Sequence, residues 1–335
     1  MNATSEPIGV LVISHGSPRP EANAGFAAMV ARVAARLDCP NVLPACFSIA
    51  KPDIAEQLAE LASRGVRRVL LMPYFLYTGQ HVVVDIPEIL RRCRCEHPDI
   101  ALELLPTLES DPALEDVVVE RLEALMAPAA TLPVEGPAIE RRSYTIIDRH
   151  LGEAWRSDPA ARRIAARIVH ATADPAMARS LRIHPEAVAR GRAALLAGKP
   201  VVCDVRMLQA GLTKIPREVI CAIDQPGVAE TAARCGSTRA AAAFELLAPQ
   251  WDGGIVAVGN APTALWKVLE LARRGGPRPA LVVGLPVGFV GARESKLALL
   301  ESDLCYVTNT SVRGGSPVAA AALNAIATLA EEKLS

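Results

Sequence analysis

Short, continuous apolar runs alternate with segments of helical periodicity over the first 126 residues, and this alternation constrains the fold more than any other feature. Because successive side chains of a strand point to opposite faces, a continuously apolar strand is buried on both faces, as in a parallel sheet covered by helices. Right-handed crossovers between such strands give a doubly wound, flavodoxin-like α/β domain. The predicted strands are Ile8–Ser14, Asn41–Phe47, Arg68–Phe75 and Ala101–Pro106, and the predicted helices are Ala22–Leu37, Ile54–Arg64, Ile86–Cys95 and Pro112–Met126.

A small, proline-bearing segment, residues 127–132, is the best candidate for a linker. A chain of 335 residues is longer than one core usually serves, so we expect two domains, residues 1–126 and 133–335. The second domain starts with a helix-rich stretch at about 143–197 and continues with apolar runs separated mostly by helical segments. It is therefore predicted to be a larger α/β domain with a mostly parallel sheet, whose strands lie in Val201–Val205, Glu218–Ile223, Gly254–Gly259, Ala280–Leu285 and Leu304–Thr308.

The charge balance and the cysteine pattern exclude several classes of protein. There are 36 basic and 36 acidic residues, so no global field attracts nucleic acid or an anionic membrane. The eight cysteines are scattered, several of them within apolar runs, which is typical of reduced thiols rather than of a disulfide framework. We find no secretory signal pattern and no apolar run near the roughly 20 residues of a membrane span. We therefore expect a cytoplasmic protein with no nucleic-acid or membrane partner.

Two histidines follow neighbouring strands of the first predicted sheet. His15 ends the first strand and His81 follows the third, and in a sheet of order 2-1-3 both meet at the switch point where ligands bind. Imidazole binds borderline divalent metal ions and takes up protons near neutral pH. Two imidazoles are too few for a structural zinc site, but they suit a metal that is bound transiently and passed on. Inserting a metal into a tetrapyrrole needs both properties, because two N–H protons leave as the metal enters.

The segments around both histidines resemble the small sirohydrochlorin chelatases over about residues 6–126. The matching segments are His15-Gly16-Ser17 and Pro73-Tyr74-Phe75-Leu76-x-x-Gly79-x-His81-x-x-x-Asp85-Ile86-Pro87. The resemblance implies that His15 and His81 are the catalytic, metal-handling residues, with the metal ion as a substrate and no organic cofactor. No GxxxxGK[ST] phosphate loop occurs, which is consistent with a chelatase that uses no ATP.

Two patterns near this site have plainer interpretations. Asp85-x-x-Glu88 resembles a metal-guiding pair, but with Pro87 in the first turn it is predicted to be a helix capping box. In Cys93-x-Cys95-x-His97, helical spacing turns Cys95 away from the face of Cys93 and His97, and a fourth ligand is missing. We therefore do not predict a metal site there.

Cationic residues and glycine-containing turns stand out in the second domain. Arg163, Arg167 and His170 fall along one face of a predicted helix, either as a solvated stripe or as part of a site. Ser237 is the expected N-cap of a helix whose first turn holds Arg239, and a cation there indicates an anion bound at that helix start. The turns 259–263 and 284–291 also follow strands, and the second is not a GxGxxG fingerprint. We expect a large anionic ligand.

From about residue 133 to 325 the chain resembles precorrin-8X methylmutase. In that family the His of the Arg-x-x-His helix is the acid/base residue, which implies a catalytic role for His170. The resemblance implies substrate contacts for Ser143 and Arg167, and we expect further contacts from Arg239 and Asn260. The implied reaction is a methyl shift from C11 to C12 of the corrinoid ring, without a cofactor. The matching residues and segments are Ser143, Arg167-x-x-His170, Cys203-Asp204, Arg239, Gly259–Leu265 and Pro286-Val287-Gly288-Phe289-Val290-Gly291-x-x-Glu294-Ser295-Lys296.

The two resemblances together predict a bifunctional enzyme of cobalamin synthesis that acts on tetrapyrroles. Two histidines cannot distinguish cobalt from iron, and the fused methylmutase favours cobalt. One alternative is an iron chelatase, and another is a first domain that carries metal or tetrapyrrole without turnover. Since one small chelatase unit offers half of the cleft that longer relatives build from two, we expect a homodimer.

Overall fold

The computed structural model describes residues 7–109, 111–126, 135–216 and 218–331. The chain divides into two compact units, Met1–Ala130 and Thr131–Ser335. The predicted linker, residues 127–132, lies outside the described residues.

The first unit contains a four-stranded, fully parallel sheet of order β2-β1-β3-β4. This is the predicted doubly wound arrangement, and most helix and strand ends lie within about two residues of the predicted ones. The strands are β1 (Ile8–Ser14), β2 (Val42–Cys46), β3 (Arg68–Pro73) and β4 (Ala101–Leu104), and the helices are α1 (Pro20–Arg36), α2 (Ile54–Ser63), α3 (Ile86–Glu96) and α4 (Pro112–Met126).

Both faces of β1 are buried, as its continuous apolar sequence predicts. Leu11 and Ile13 point into a cluster that includes Leu58 of α2 and residues of α3. Val12 lies on the opposite face, in a separate cluster with Val30 of α1. The helices therefore cover both sides of the sheet and leave the carboxyl ends of its strands as the natural place for a site.

The second unit contains a six-stranded sheet of order β5-β10-β9-β8-β6-β7, in which β5 alone among these strands runs antiparallel. The strand β5, Leu181–Ile183, lies inside the stretch predicted to be helix-rich, and the sequence pattern does not predict it. The remaining strands are β6 (Val201–Cys203), β7 (Ile220–Cys221), β8 (Ile255–Val258), β9 (Leu281–Gly284) and β10 (Tyr306–Asn309).

Helices cover both faces of this sheet as well. Within β8, Ile255 and Ala257 face one apolar cluster, whereas Val256 and Val258 face the other. The last helix, α14, lies in the first of these clusters and is largely buried. The helices are α5 (Gly136–Leu151), α6 (Pro159–Thr172), α7 (Ala176–Ser180), α8 (Ala187–Leu196), α9 (Arg206–Gly211), α10 (Val228–Cys235), α11 (Arg239–Leu246), α12 (Pro262–Arg273), α13 (Ala292–Leu300) and α14 (Ser316–Glu331).

All eight cysteines are free thiols. Five of them are buried, and burial raises the pKa of Cys221 and of Cys305 to about 11. These two thiols stay protonated near neutral pH. Within the described part of the chain, every helix is too short or too polar to cross a membrane.

Candidate active sites

His15 and His81 come together at the carboxyl edge of the first sheet. β1 and β3 are hydrogen-bonded neighbours with Ile13 opposite Pro73, so the segments that follow both strands leave the sheet side by side. The two ring centroids are 5.2 Å apart, with the ring planes at 67°. The expected convergence of the two imidazoles is therefore present, while their chemical role stays a prediction.

Phe47, which follows β2, completes a three-ring cluster with the two histidines. Its ring centroid is 5.9 Å from that of His15 and 4.8 Å from that of His81. Backbone hydrogen bonds from Phe47 to Ser14 and from Ser48 to His15 hold this loop against the end of β1. Gly16 permits the close approach, because it has a φ of +84° and a Cβ there would lie 2.6 Å from the Ser48 carbonyl oxygen.

Asp85 lies beside His81 and is not the helix cap that the sequence predicts. Residues His81–Asp85 form a π-helical turn that continues directly into α3. The Ile86 N–H therefore already donates to the His81 carbonyl, and the Asp85 side chain makes no capping bond. Its Oδ2 lies 2.7 Å from His81 Nδ1 instead. The i, i+4 spacing of the two residues was the sequence signal for this pair, but it was missed because the segment before Pro87 was read as a loop.

The surface around the two histidines is unusually apolar. His81 is about half exposed, with a side-chain accessibility of 49%. Large hydrophobic side chains on the same connection between β3 and α3 are exposed to solvent: Tyr74, Leu76, Tyr77, Val83 and Val84. Exposed apolar patches of this kind mark sites of interaction with a protein, a membrane or a ligand.

The two thiols of the Cys93–His97 segment lie in different environments. Cys93 is buried and Cys95 is exposed, as helical spacing predicts. Burial raises the pKa of the Cys93 thiol, which disfavours the thiolate that a metal needs. Among the described residues, no group of three or more His, Cys, Asp or Glu side chains is placed to hold a metal ion. The first unit thus offers a pair of imidazoles rather than a closed metal cage.

Ser143 and His170 line one cavity of about 260 Å³ in the second unit. Ser143 comes from α5 and His170 from the last turn of α6, and the two helices pack against each other. The other lining residues are mostly apolar and include Ile147 and Pro175. The structure therefore brings together two residues that are far apart in sequence and were predicted to share a site.

The Tyr144 ring stacks on the His170 ring. This contact is not predicted from the sequence. The two rings are stacked with centroids 5.1 Å apart and planes at 10°. Arg167 donates a hydrogen bond to the Tyr144 hydroxyl at 2.7 Å and contacts Glu140 at 3.3 Å. Arg167 lines a neighbouring cavity of about 490 Å³ rather than the one shared by Ser143 and His170.

Arg239 is the exposed first residue of α11, as predicted, but the cap of this helix is Thr238 rather than Ser237. The Thr238 hydroxyl accepts a hydrogen bond from the Ala241 N–H. A hydrogen bond from Arg206 and the nearby charge of Arg239 both lower the pKa of the Asp224 carboxyl. Two cationic side chains therefore lie near the start of this helix.

Asp204, buried just after β6, fixes the loop that carries Asn260. Its carboxylate accepts hydrogen bonds from the backbone N–H groups of Gly259, Asn260 and Ala261 at 2.7–3.1 Å. Burial raises the pKa of Asp204, and the three donors oppose that rise. With its backbone held in this way, Asn260 remains exposed, and neither Asn260 nor Arg239 lines the cavity of His170.

Residues 138–329, more than half of the chain, match the family model described as precorrin-8X methylmutase. The chain belongs to the precorrin-8X methylmutase family. Residues 9–125 match a second family model, CbiX, so a chelatase domain precedes the methylmutase domain. Both resemblances seen in the sequence are confirmed, and the chain is an enzyme with an isomerase and a lyase domain.

Similar proteins resemble the second unit over nearly their whole length. The precorrin-8X methylmutase of Sinorhizobium sp is 42% identical, and the match covers 58% of this chain and 94% of the relative. The cobalt-precorrin-8 methylmutase of Priestia megaterium is 40% identical over 60% of this chain and 91% of the relative. The solved precorrin-8X methylmutase of Thermus thermophilus is 38% identical, covers 59% of this chain and 98% of its own, and superposes with a TM-score of 0.54.

Proposed function

We propose that this bifunctional enzyme of cobalamin synthesis inserts Co(II) into sirohydrochlorin with its first unit and converts (cobalt-)precorrin-8 to cobyrinate or hydrogenobyrinate with its second. The observation that supports the first activity most is the pair of imidazoles, with centroids 5.2 Å apart, at the carboxyl edge of the sheet. The methylmutase domain on the same chain favours cobalt over iron, because its product belongs to the corrin pathway.

The chemistry of metal insertion fits two imidazoles. One Co(II) ion enters the ring and two protons leave the pyrrole nitrogens, so charge is conserved without oxidation, ATP or an organic cofactor. His15 and His81 first bind the hydrated ion through neutral nitrogens and then take up the two protons for release to water. The exposed apolar side chains around them, such as Tyr77 and Val83, offer a surface on which the flat macrocycle can lie.

In the second unit, His170 is proposed as the general acid of the methyl shift. Protonating a ring nitrogen draws electron density from the migrating centre, and an imidazolium can donate that proton near neutral pH. Ser143, on the same cavity wall, is proposed to hydrogen-bond the substrate. The cavity is small, so it accepts one edge of the macrocycle rather than the whole ring.

The peripheral carboxylates of the substrate are proposed to bind polar side chains outside this cavity, since charge-assisted bonds to carboxylates are strong. Arg239 and the exposed side chain of Asn260 are the proposed contacts at the carboxyl edge of the sheet. Arg167 is proposed to hold Tyr144 in place, because it donates a hydrogen bond to the hydroxyl of the ring on which His170 stacks.

We also propose that the enzyme is a cytoplasmic homodimer. α4 carries exposed large side chains, including Leu122 at 50% and Leu125 at 84%, which a second copy of this unit would cover. Light scattering should then give about twice the chain mass of 35.5 kDa. A monomeric mass at assay concentrations would contradict this.

The chelatase proposal is tested by adding Co(II) to the purified protein with excess sirohydrochlorin and no ATP, and following the absorption of the metallated ring. We expect many turnovers per chain and a faster reaction with Co(II) than with Fe(II). Product that stops at one equivalent per chain would indicate a carrier, and faster turnover with Fe(II) would favour the iron alternative.

A further inference from the structure

The π-helical turn His81–Asp85 gives one of the two imidazoles a carboxylate partner. The turn continues directly into α3, where the Ile86 N–H donates to the His81 carbonyl. The Asp85 side chain makes no capping hydrogen bond at this helix start. The turn brings the first and last of its five residues together, so that Asp85 Oδ2 lies 2.7 Å from His81 Nδ1. The side chain is thus committed to the histidine rather than to the helix.

This contact fixes which nitrogen of His81 can act. A carboxylate only accepts hydrogen bonds, so the proton between the two groups belongs to Nδ1 of the ring. The lone pair of the neutral imidazole is then on Nε2, which makes no hydrogen bond within the described residues. Carboxylates behind metal-binding histidines commonly set tautomer and ring orientation in this way.

His15 differs from His81 in this respect. Its ring contacts the rings of Phe47 and His81, but it has no hydrogen-bond partner among the described residues. Among the described residues, the site therefore joins one imidazole that has a carboxylate partner to one that has none.

We propose that Asp85 is a positioning residue of the chelatase site, holding His81 as the Nδ1–H tautomer so that Nε2 receives the metal or a pyrrole proton. This inference rests on the proposed function of the first unit. Asp85 then sets the direction in which the Nε2 lone pair of His81 points.

The tautomer can be measured without any chelatase assay. Long-range ¹H–¹⁵N correlation on the full chain should show His81 with its proton on Nδ1. Asp85→Asn should keep that pattern, because an amide oxygen still accepts a hydrogen bond, whereas Asp85→Ala should lose it. Glu88→Gln is the matched control: Glu88 lies in the same region of α3 but pairs with Arg91.

Comparing kcat with KM distinguishes a residue that positions His81 from one that binds the macrocycle. Asp85→Ala should lower kcat for cobalt insertion by about 10–100-fold, the usual effect of removing such a partner, with KM for sirohydrochlorin nearly unchanged. Asp85→Asn should recover much of the lost rate, and Glu88→Gln should match the wild type. Far-UV circular dichroism checks that the variants are folded.

The outcomes distinguish this inference from the function on which it rests. A wild-type His81 protonated on Nε2, or a tautomer that does not change in Asp85→Ala, would overturn the positioning role. Wild-type turnover with no loss in Asp85→Ala would do the same. A wild-type protein with the Nδ1–H tautomer that inserts no cobalt would contradict the chelatase function instead.

Discussion

Lys296 is fully buried, and its side chain is hydrogen-bonded to the segment that follows β10. Its Nζ donates to the Arg313 carbonyl at 2.6 Å, and Asn309 donates to the same oxygen at 3.1 Å. The Arg313 guanidinium then pairs with Asp174 at 2.7 Å, four positions beyond His170 in the sequence. The buried lysine therefore helps to hold the loop whose Arg313 pairs with Asp174, just beyond the end of α6.

The pH dependence of stability should reveal this lysine. Burial lowers the pKa of Lys296 to about 8, from 10.5 when it is exposed. Between these values the unfolded chain binds a proton that the folded chain does not, so the free energy of unfolding rises with pH. Relative to Lys296→Met, the wild type should gain about 1–2 kcal/mol between about pH 8 and pH 9.5.

Tryptophan fluorescence is a suitable probe for this measurement, because all three tryptophans lie in the second unit. Lys199→Met, which removes an exposed lysine of the same unit, should show the pH dependence of the wild type. Parallel curves for the wild type and Lys296→Met would contradict the assigned cause.

The sequence predicts the positions of residues that lie at the ends of strands and helices. The convergence of His15 and His81 follows from strand order, because strand ends at one edge of a sheet lie close together. The contacts of Asp85 and Tyr144 could not be derived in the same way. They depend on a π-helical turn and on how α5 packs against α6, which the local pattern does not encode.

At the scale of whole elements, apolar periodicity predicts the buried strands and the amphipathic helices well. It fails at β5, a three-residue strand whose single neighbour in the sheet is β10. So short a segment has no periodicity of its own, and its extended form is set by pairing with Val307–Asn309. The cap of α11 is Thr238, one residue after the predicted Ser237; both residue types can cap, and the local sequence does not fix the residue at which the helix begins.

Substituting Ser237 and Thr238 separately tests which of these adjacent residues caps α11. Thr238 accepts from the Ala241 N–H at 3.2 Å and bonds the Thr263 hydroxyl at 2.7 Å, so Thr238→Ala should cost about 1 kcal/mol. The Ser237 hydroxyl oxygen is buried without a hydrogen-bond partner in the described residues, so Ser237→Ala should be neutral or slightly stabilising. Urea unfolding followed by fluorescence compares the two. A larger loss for Ser237→Ala would restore the original assignment.

For the whole molecule, each unit has its own sheet and its own apolar clusters. His15 and His81 belong to the first unit and His170 to the second. Damage to one site should therefore leave the chemistry of the other intact, and the two activities should be separable by single substitutions in the full chain.

The most direct test measures both activities on the same preparations of wild type, His81→Ala and His170→Ala, with His97→Ala as a control outside both sites. His81→Ala should abolish cobalt insertion and keep methyl migration at the wild-type rate. His170→Ala should insert cobalt normally and migrate the methyl group about 10²–10⁴-fold more slowly, because it loses its general acid. A variant that loses both activities while folded, or that loses neither, would contradict two separate active sites built on these histidines.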